Sequence, residues 1–258
     1  MGALTQEELV RWLIEDSAPG PLLVMAAHPD DETIALGGHP HLLQHSLIVH
    51  VTDGAVRGRG DREAYALARR EELHRALSLA GVAPEKMWAL GAPDQESMYH
   101  LPALSRMVES LIAKFEPRAI FTHPYEGGHP DHDSTAFLVH TAARAREIPI
   151  IEFTSYYHAS LGHGPAEMCV GEFLPRDERP VVEVELNEKN CELKRRMMSC
   201  FASQEEMLRL FPIGVEKFRL APEYDFRRPP HPGVLLYEDR GWGKGAEWRR
   251  CAEAALSD

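Results

Sequence analysis

Short apolar runs alternate with amphipathic helix patterns through much of this 258-residue chain. The runs begin at Leu22, Ser46, Met87 and Ala119, and the strand-plus-helix unit repeats roughly every 30–40 residues. A short continuous apolar run is typical of a buried strand, and strands that alternate with helices are typical of βαβ units. The sequence therefore predicts an α/β fold with a Rossmann-like, mostly parallel sheet and helices on both of its faces.

Capping and spacing signals outline the elements between and after these runs. A capping box at Thr5 and Glu8 predicts a lead-in helix over residues 5–16. One helix is expected to run from Asp31 to Leu43, although it contains two glycines. The remaining patterns predict a loop at 55–61, strands at 148–157 and 180–186, a helix at 187–199 and a segment rich in Pro and aromatic residues at 211–240.

No linker, repeat or low-complexity segment interrupts the chain. We therefore expect a single domain over 1–258, with the C-terminal third as an elaboration of it. The four cysteines lack CxxC spacing and are expected to be reduced and to have no nucleophilic role.

The composition excludes several classes of partner. The chain has 40 acidic and 28 basic side chains and a net charge of −12, which argues against nucleic acid and favours a small or neutral substrate. No apolar stretch approaches the roughly 18 residues of a membrane span, and no basic segment followed by an apolar core opens the chain. We expect a cytoplasmic protein without a membrane partner; a homo-oligomer is compatible with the sequence.

Titratable side chains follow the first apolar run directly. Leu22–Ala26 is followed by Ala27-His28-Pro29-Asp30-Asp31-Glu32. Pro and acidic residues suit the first turn of a helix, so this segment lies where a strand leads into a helix. In open α/β sheets, ligands bind at that edge.

A second segment of the same kind follows the run that starts at Ala119. It reads His123-Pro124-Tyr125-Glu126-Gly127-Gly128-His129-Pro130-Asp131-His132-Asp133. In a parallel sheet both crossovers lie at the same edge, so the two segments can meet in space. Each segment alone is also explained as a helix N-terminus. Their joint occurrence, each with surplus acid–base groups, favours a functional site.

The residue types of the two segments suit a catalytic metal. His28, Asp31 and His132 offer two imidazoles and one carboxylate, and three protein ligands with one open position are typical of catalytic zinc. The same ligands also accept iron, cobalt or nickel. Asp30 is left over beside the ligands and is placed to act as general base. His129 is a candidate to stabilise an oxyanion or to protonate a leaving group.

The residues that carry this site resemble the LmbE/PIG-L family of zinc-dependent deacetylases. The specific motifs are A-H-P-D-D-E-T with the following G-G, and H-P-D-H. Weaker matches extend the resemblance over about 22–204, and they are Val51-Thr52-Asp53-Gly54, Arg69-Arg70-Glu71-Glu72, Leu90-Gly91-Ala92-Pro93-Asp94, Lys194 and Ser203-Gln204.

The resemblance implies an LmbE-like fold, zinc as cofactor and removal of acetyl groups from substrates that contain N-acetylglucosamine. It implies the same metal ligands, the same general base, and His129 as electrostatic or acid partner. Arg69 and Asp94 match positions that contact the sugar in the family. Taken alone, these two residues are as simply explained as a helix-surface charge and a turn residue.

The chain departs from the family pattern at three places. Gly127 stands where some sugar deacetylases have Tyr, which puts a tyrosine contribution to oxyanion binding in doubt. Phe201 stands where the family often has His. No motif follows Phe211, and this region is expected to hold a substrate-specific lid. Four further side chains are better explained as solvated loop residues than as part of a cleft, namely Arg57, Arg59, His158 and His163.

These observations predict a hydrolase that removes the N-acetyl group from an amino sugar or its conjugate. One alternative is an amidase that acts on a larger thiol or sugar conjugate with the same metal chemistry. A second is a metal-dependent carbohydrate-binding protein without turnover, against which the surplus Asp30 argues. A nucleotide-binding protein is disfavoured because the first crossover is acidic rather than rich in glycine.

Overall fold

The protein is described by a computed structural model over residues 4–15, 20–58, 60–160, 167–175 and 179–257. Within these ranges the strands are β1 (Leu22–Ala26), β2 (Ser46–Val56), β3 (Met87–Asp94), β4 (Ala119–Thr122), β5 (Ile150–Phe153), β6 (Tyr156–His158), β7 (Met168–Val170), β8 (Val182–Glu185) and β9 (Val215–Leu220). The helices are α1 (Gln6–Ile14), α2 (Asp31–Leu36), α3 (Pro40–Gln44), α4 (Arg62–Leu79), α5 (Leu101–Phe115), α6 (Pro130–Arg144), α7 (Glu188–Met198), α8 (Glu205–Leu208), α9 (Leu236–Asp239) and α10 (Gly245–Ala255).

The main sheet has the strand order β3-β2-β1-β4-β5-β9-β8. The first five strands in this order are parallel, and β9 and β8 extend the sheet in antiparallel pairing. The prediction of a mostly parallel α/β sheet is confirmed. β1 pairs with β2 on one side and with β4 on the other, so the chain changes its direction of winding at β1. In such sheets ligands bind beyond the carboxyl ends of the strands at this switch point.

Helices cover both faces of the sheet because successive residues of a strand point to opposite sides. Leu22 and Val24 of β1 join a core formed with α1, α2, α3, α4 and α7. Leu23 and Met25 join a second core formed with α5, α6 and α10. Both faces are thus filled with apolar side chains, which leaves the polar loops at the strand ends as the place for chemistry.

Two findings bear on the expected cellular context. In the part of the chain that the structure describes, no helix is both long and apolar enough to cross a bilayer. All four cysteines are free thiols, as the sequence predicts.

The single helix predicted after Asp31 is wrong, because the chain breaks at its two glycines into α2 and α3. A Cβ atom on Gly38 would lie 2.3 Å from Cδ1 of Leu186, and one on Gly37 would lie 2.9 Å from Cγ of Lys194. These glycines let the segment after β8 and helix α7 approach the turn closely. Close packing, rather than helix continuation, explains the pair.

Three further boundaries differ from the sequence prediction. Strand β2 runs to Val56 and so takes in the start of the predicted loop at 55–61. The strand predicted over 148–157 is divided, because β5 belongs to the main sheet while β6 pairs with β7 in a separate two-stranded sheet. Strand β9 lies in the segment for which no element was predicted. Its apolar pattern is obscured because two of its buried residues, Glu216 and Arg219, are charged.

A buried ion pair joins the C-terminal elements to the turn between α2 and α3. Oε1 of Glu216 lies 2.8 Å from Nζ of Lys194 and accepts a hydrogen bond of 2.9 Å from the Gly38 N–H. Oε2 of Glu216 lies 2.5 Å from Nδ1 of His39, and Lys194 also donates to the Ile34 carbonyl. Burial by itself would raise the pKa of Glu216, but Lys194 and His39 hold that pKa below its usual value.

Replacing Lys194 by Met should lower the free energy of unfolding by about 3–5 kcal/mol, because the Glu216 carboxylate then stays buried without its cation. Lys189→Met, on the exposed side of the same helix, should change it by less than about 0.5 kcal/mol. Urea unfolding at pH 7 measures both variants. A Lys194→Met protein as stable as the unmodified chain would contradict the stabilising role of the buried Glu216–Lys194 pair.

Candidate metal centre

The loops that follow β1 and β4 meet at the switch point of the sheet. The two strands are neighbours, with Val24 opposite Phe121, so their loops begin side by side. The ring centroids of His28 and His129 are 4.6 Å apart, and those of His28 and His132 are 5.2 Å apart. The structure therefore brings together the two segments that the sequence analysis selected.

The loop after β1 has an unusual backbone conformation at Asp30, whose φ is 152°. Non-glycine residues rarely adopt positive φ, and such strain is concentrated at functional sites. The Asp30 N–H donates to Oε2 of Glu32 (3.1 Å), and the same oxygen lies 2.9 Å from Nε2 of His50. The buried Glu32 carboxylate thus holds the strained loop in place.

Asp31 is the carboxylate on which both loops converge. Its Oδ2 accepts the His28 N–H at 2.7 Å and lies 3.2 Å from Nε2 of His123. Its Oδ1 lies 3.5 Å from Nε2 of His132. Burial would raise the pKa of Asp31, but His123 and His132 hold that pKa well below its usual value. An ionised carboxylate among imidazoles is a donor set that suits a borderline metal ion.

Three overlapping groups of side chains have donor atoms within 4.8 Å of one another. They are His28 with His129 and His132; Asp31 with His123 and His132; and His28 with Asp94, His129 and Asp131. The three ligands predicted from the sequence all belong to these groups, although they are divided between two of them. The sequence analysis missed His123. His123 is the first residue after β4 and the first of the second polar segment, and this position could have indicated it.

Asp30 faces a buried guanidinium. Its Oδ2 lies 3.2 Å from Nη2 of Arg69, which is only 2% exposed, so the interpretation of Arg69 as a helix-surface charge is wrong. Nε and Nη1 of Arg69 are buried and have no hydrogen-bond partner among the described residues. Burial raises the pKa of Asp30 to about 7; Arg69 opposes this shift, and the Asp31 charge adds to it. A carboxyl group with such a pKa is suited to general-base work near neutral pH.

His129 is held as a neutral ring with one defined tautomer. Its Nδ1 accepts a hydrogen bond of 3.2 Å from the Asp131 N–H, so the proton of the ring lies on Nε2. Burial, followed by the neighbouring His28, lowers the pKa of His129 to about 3. Nε2 lies 3.7 Å from Oδ1 of Asp94, which is itself 3.2 Å from Nε2 of His28. Asp94 thus belongs to the centre and is more than a turn residue.

Asp131 fixes helix α6 to the turn after β3. Its side chain is fully buried and accepts hydrogen bonds from the N–H groups of Gln95 (2.6 Å) and Ser97 (3.1 Å) and from the Ser97 hydroxyl. Oδ2 of this carboxylate, which accepts the Gln95 N–H, also lies 3.2 Å from Nε2 of His28. The third residue of H-P-D-H therefore positions the two loops relative to each other, a role that the sequence analysis did not predict.

Two aromatic rings wall the centre. The Tyr156 ring centroid is 5.2 Å from that of His132, whose Nδ1 lies 3.0 Å from the Ser155 hydroxyl. Trp242, from the segment beyond Phe211, lies 5.1 Å from His129. Neither ring was predicted, because nothing in the local sequence links β6 or the C-terminal segment to the two polar loops.

Of the four side chains interpreted as solvated loop residues, the structure describes Arg57 and His158. Arg57 is largely exposed and paired with Glu96, as predicted, but His158 is buried, with Nε2 2.7 Å from Oδ2 of Asp239. Arg59 and His163 lie outside the described residues.

Residues 23–143, which include both loops, match the family model described as PIG-L: GlcNAc-PI de-N-acetylase. They are a PIG-L/LmbE family domain. The resemblance noted in the sequence is thereby confirmed. The chain is 31% identical over 169 residues to a 1D-myo-inositol 2-acetamido-2-deoxy-alpha-D-glucopyranoside deacetylase of Corynebacterium diphtheriae. This match covers 54% of the chain and 58% of the relative, so the chain spans little more than half the length of that protein.

Two solved structures share the fold of the chain. A deacetylase of the teicoplanin biosynthesis pathway aligns with a TM-score of 0.60 at 16% identity, over 80% of this chain and 99% of that one. The 4-carboxy-2-hydroxymuconate hydratase of Pseudomonas putida aligns with a TM-score of 0.52 at 16% identity, over 80% and 98%. Identities this low establish the fold alone, and the second structure shows that the same fold also carries a hydratase.

The loop after β4 rests on a second buried charge cluster. Oε1 of Glu126 accepts the Leu174 N–H at 2.8 Å and lies 3.3 Å from Nη2 of Arg219. Nε of Arg219 lies 2.7 Å from Oε2 of Glu152. Two carboxylates thus share one guanidinium. Burial raises the pKa of Glu126 to about 8; Arg219 lowers it and Glu152 raises it further.

This raised pKa predicts a pH-dependent stability. The folded chain keeps the Glu126 proton up to about pH 8, whereas the unfolded chain loses it near pH 4.5. The free energy of unfolding of the unmodified chain should therefore fall relative to that of Glu126→Gln as pH rises through this window. The fall should be at most about 1.4 kcal/mol per pH unit. Urea unfolding from pH 5 to 8 measures this difference, with exposed Glu109→Gln as the matched control. If the difference in free energy of unfolding between the two proteins stays constant from pH 5 to 8, the pKa of Glu126 is not raised.

Proposed function

We propose that the protein is a metal-dependent hydrolase that removes the N-acetyl group from an N-acetylglucosamine-type amino sugar or its conjugate. The observation that carries the proposal is the buried Asp30–Arg69 pair beside the Asp31 carboxylate and its imidazoles. The family description and the relative that deacetylates an acetamido sugar support the substrate class. We also propose a cytoplasmic location and one domain over 1–258, which is supported by β8 and β9 joining the main sheet.

The residues of the centre fit a divalent metal ion. The carboxylates of Asp30, Asp31 and Asp131 are buried and that of Asp94 is half-buried beside them, with Arg69 as a neighbouring permanent cation. Buried negative charge without enough cations is costly, and a divalent ion would compensate it. We propose that His28, Asp31 and His132 hold this ion, with zinc as the first candidate and iron, cobalt or nickel as alternatives. In this arrangement His123 orients Asp31.

The side chains around the metal supply the proton chemistry. A bound zinc ion would acidify water and polarise the acetyl carbonyl group. Asp30 takes one proton from the water whose oxygen adds to the carbonyl carbon. When the C–N bond breaks, acetate leaves and Asp30 returns the proton to the amine nitrogen. Its pKa of about 7 suits both steps.

Hydrogen-bond donors in the centre can stabilise the developing oxyanion. The neutral His129 ring presents its Nε2–H, and Arg69 has buried N–H groups without partners among the described residues. Tyr156, whose ring lies 5.2 Å from that of His132, adds a phenol beside the centre. Arg69 and Asp94 are also the proposed contacts to the sugar. Donors fixed before the reaction are effective because they need no reorganisation.

Metal analysis tests the ligand set. Purified protein is expected to hold one zinc ion per chain, and His132→Ala is expected to hold almost none after dialysis, because one of three ligands is lost. His123→Ala should bind zinc 10–100-fold more weakly but still reach one ion per chain at saturating zinc. Inductively coupled plasma mass spectrometry gives the stoichiometry, with exposed His100→Ala as control. Full zinc in His132→Ala would refute the ligand set.

Asp30→Asn tests the general base. It should release acetate from N-acetylglucosaminides about 10²–10⁴ times more slowly than the unmodified chain. Zinc content should not change, because Asp30 is not a proposed ligand. Acetate release and metal content are measured on the same samples. Full turnover by Asp30→Asn would contradict the role of Asp30 as general base. If the zinc-loaded unmodified protein binds the sugars without releasing acetate, the protein is instead a carbohydrate-binding protein.

A further inference from the structure

A tryptophan of the C-terminal segment borders the metal centre. The ring centroid of Trp242 lies 5.1 Å from that of His129, and the two ring planes are tilted by 47°. The indole is half-buried, so the rest of the molecule does not cover it completely. None of the proposed proton-transfer steps uses this side chain. Small-molecule sites are lined largely by apolar and aromatic side chains, and a partly uncovered Trp beside such a site is therefore suited to contact the ligand.

The segment that carries Trp242 lies against the start of α6. A Cβ atom on Gly243 would lie 3.8 Å from Cβ of Pro130, the first residue of that helix, and 3.6 Å from Cε of Met98. Pro130 directly follows His129 in the H-P-D-H motif. The indole is thus placed beside the second polar loop, although it is far from this loop in sequence.

Hydrogen bonds before and after Trp242 fix the segment. Oδ2 of Asp239, at the end of α9, lies 2.7 Å from Nε2 of His158. The Gly245 N–H, at the start of α10, donates to Oε1 of Glu238 at 2.9 Å. The chain is therefore anchored on both sides of the indole. A contact surface that is ordered before the ligand arrives loses little conformational entropy on binding.

The size of the indole favours a sugar ring over an acetyl group as its partner. A Trp side chain can bury roughly 150–250 Å² of surface, of which a single methyl group covers a small part. A pyranose ring is comparable in size with the indole. Its chair form has faces made of C–H groups and an edge made of hydroxyl groups. A flat apolar ring therefore suits the face of the sugar.

A carboxylate beside the same histidine suits the edge of the sugar. Oδ1 of Asp94 lies 3.7 Å from Nε2 of His129. Carboxylate oxygens accept hydrogen bonds, and sugar hydroxyls donate them. The two neighbours of His129 thus match two parts of a pyranose, because Trp242 suits its apolar face and Asp94 its hydroxyl edge.

We infer that Trp242 is a sugar platform, the ring on which the pyranose of the substrate packs while its hydroxyl groups face Asp94. The inference rests on the proposed deacetylase function and narrows its substrate class to cyclic amino sugars. An open-chain compound with the same acetamido group has no flat C–H face and cannot make this contact. Trp242 therefore selects the ring and takes no part in the hydrolysis itself.

The test compares acetate release by the zinc-loaded protein from methyl N-acetylglucosaminide and from N-acetylglucosaminitol, the open-chain alditol with the same acetamido group. Trp242→Leu keeps an apolar side chain but removes the flat ring. It should lower kcat/KM about tenfold for the glycoside, mainly through KM, and less than about twofold for the alditol. Trp88→Leu, at the opposite end of β3 from Asp94, is the matched control and should change neither value.

Binding gives a second readout that does not depend on turnover. In titration calorimetry with the zinc-loaded Asp30→Asn protein, adding Trp242→Leu should raise the Kd of the methyl glycoside about tenfold, and adding Trp88→Leu should not change it. The glycoside should also change the tryptophan fluorescence of Asp30→Asn. This change should be lost when the conservative substitution Trp242→Phe is added, which tests the contact even if Trp242→Leu does not fold.

The outcomes separate the platform from the reaction. Equal losses of kcat/KM for the glycoside and the alditol in Trp242→Leu, or no loss for either, would overturn the inference and leave deacetylation intact. A changed preference between N-acetyl and N-propionyl glycosides would place the indole against the acyl group and overturn it as well. No acetate from either compound, together with weaker glycoside binding by Trp242→Leu, would overturn deacetylation and retain Trp242 as a sugar platform.

Discussion

The pairing of β1 with both β2 and β4 is the constraint on which the site depends. Because both pairings are parallel, the loops after β1 and β4 leave the sheet at the same edge and in the same direction. The short side chain of Asp31 can then reach His123 and His132 of the other loop. A single antiparallel pairing at this position would send the two loops to opposite ends of the sheet.

Charge burial is the second organising theme of the structure. The metal centre, the Glu216–Lys194 pair and the Glu126–Arg219–Glu152 cluster each combine buried carboxylates with cations. The last two involve β9 and connect the C-terminal elements to α2, α7 and the loop after β4. Each cluster costs desolvation energy, and each removes the freedom of one loop to move relative to the sheet. The antiparallel extension thus stiffens the frame around the parallel half.

The parts of the fold that the sequence predicts are those governed by local apolar periodicity. Strand β1 and the amphipathic α5 follow directly from it, as does the parallel order that brings H-P-D-D-E to H-P-D-H. Strand β9 could not be predicted because two of its three buried residues, Glu216 and Arg219, are charged, and their burial depends on partners far away in sequence. The break at Gly37-Gly38 could not be predicted because it depends on the packing of Leu186 and Lys194 against these glycines.

The same limit applies to the site. His28, Asp31 and His132 carry their signal in short motifs. Arg69 was a candidate through the family resemblance alone, and its contact with Asp30 is seen only in the structure. Tyr156 and Trp242 reach the centre through tertiary packing, for which a single sequence offers no pattern. His123 lay within the motif segment, but its contact with Asp31 depends on the relative position of two strands.

The backbone of Asp30 has a consequence for how such a chain can change over generations. A φ of 152° is comfortable for glycine and strained for aspartate, so a glycine at this position would relieve the backbone strain. Selection for an unstrained backbone alone therefore acts against the residue that we propose as general base. In copies of this fold that have lost their activity, position 30 should be among the first in the loop to drift toward glycine.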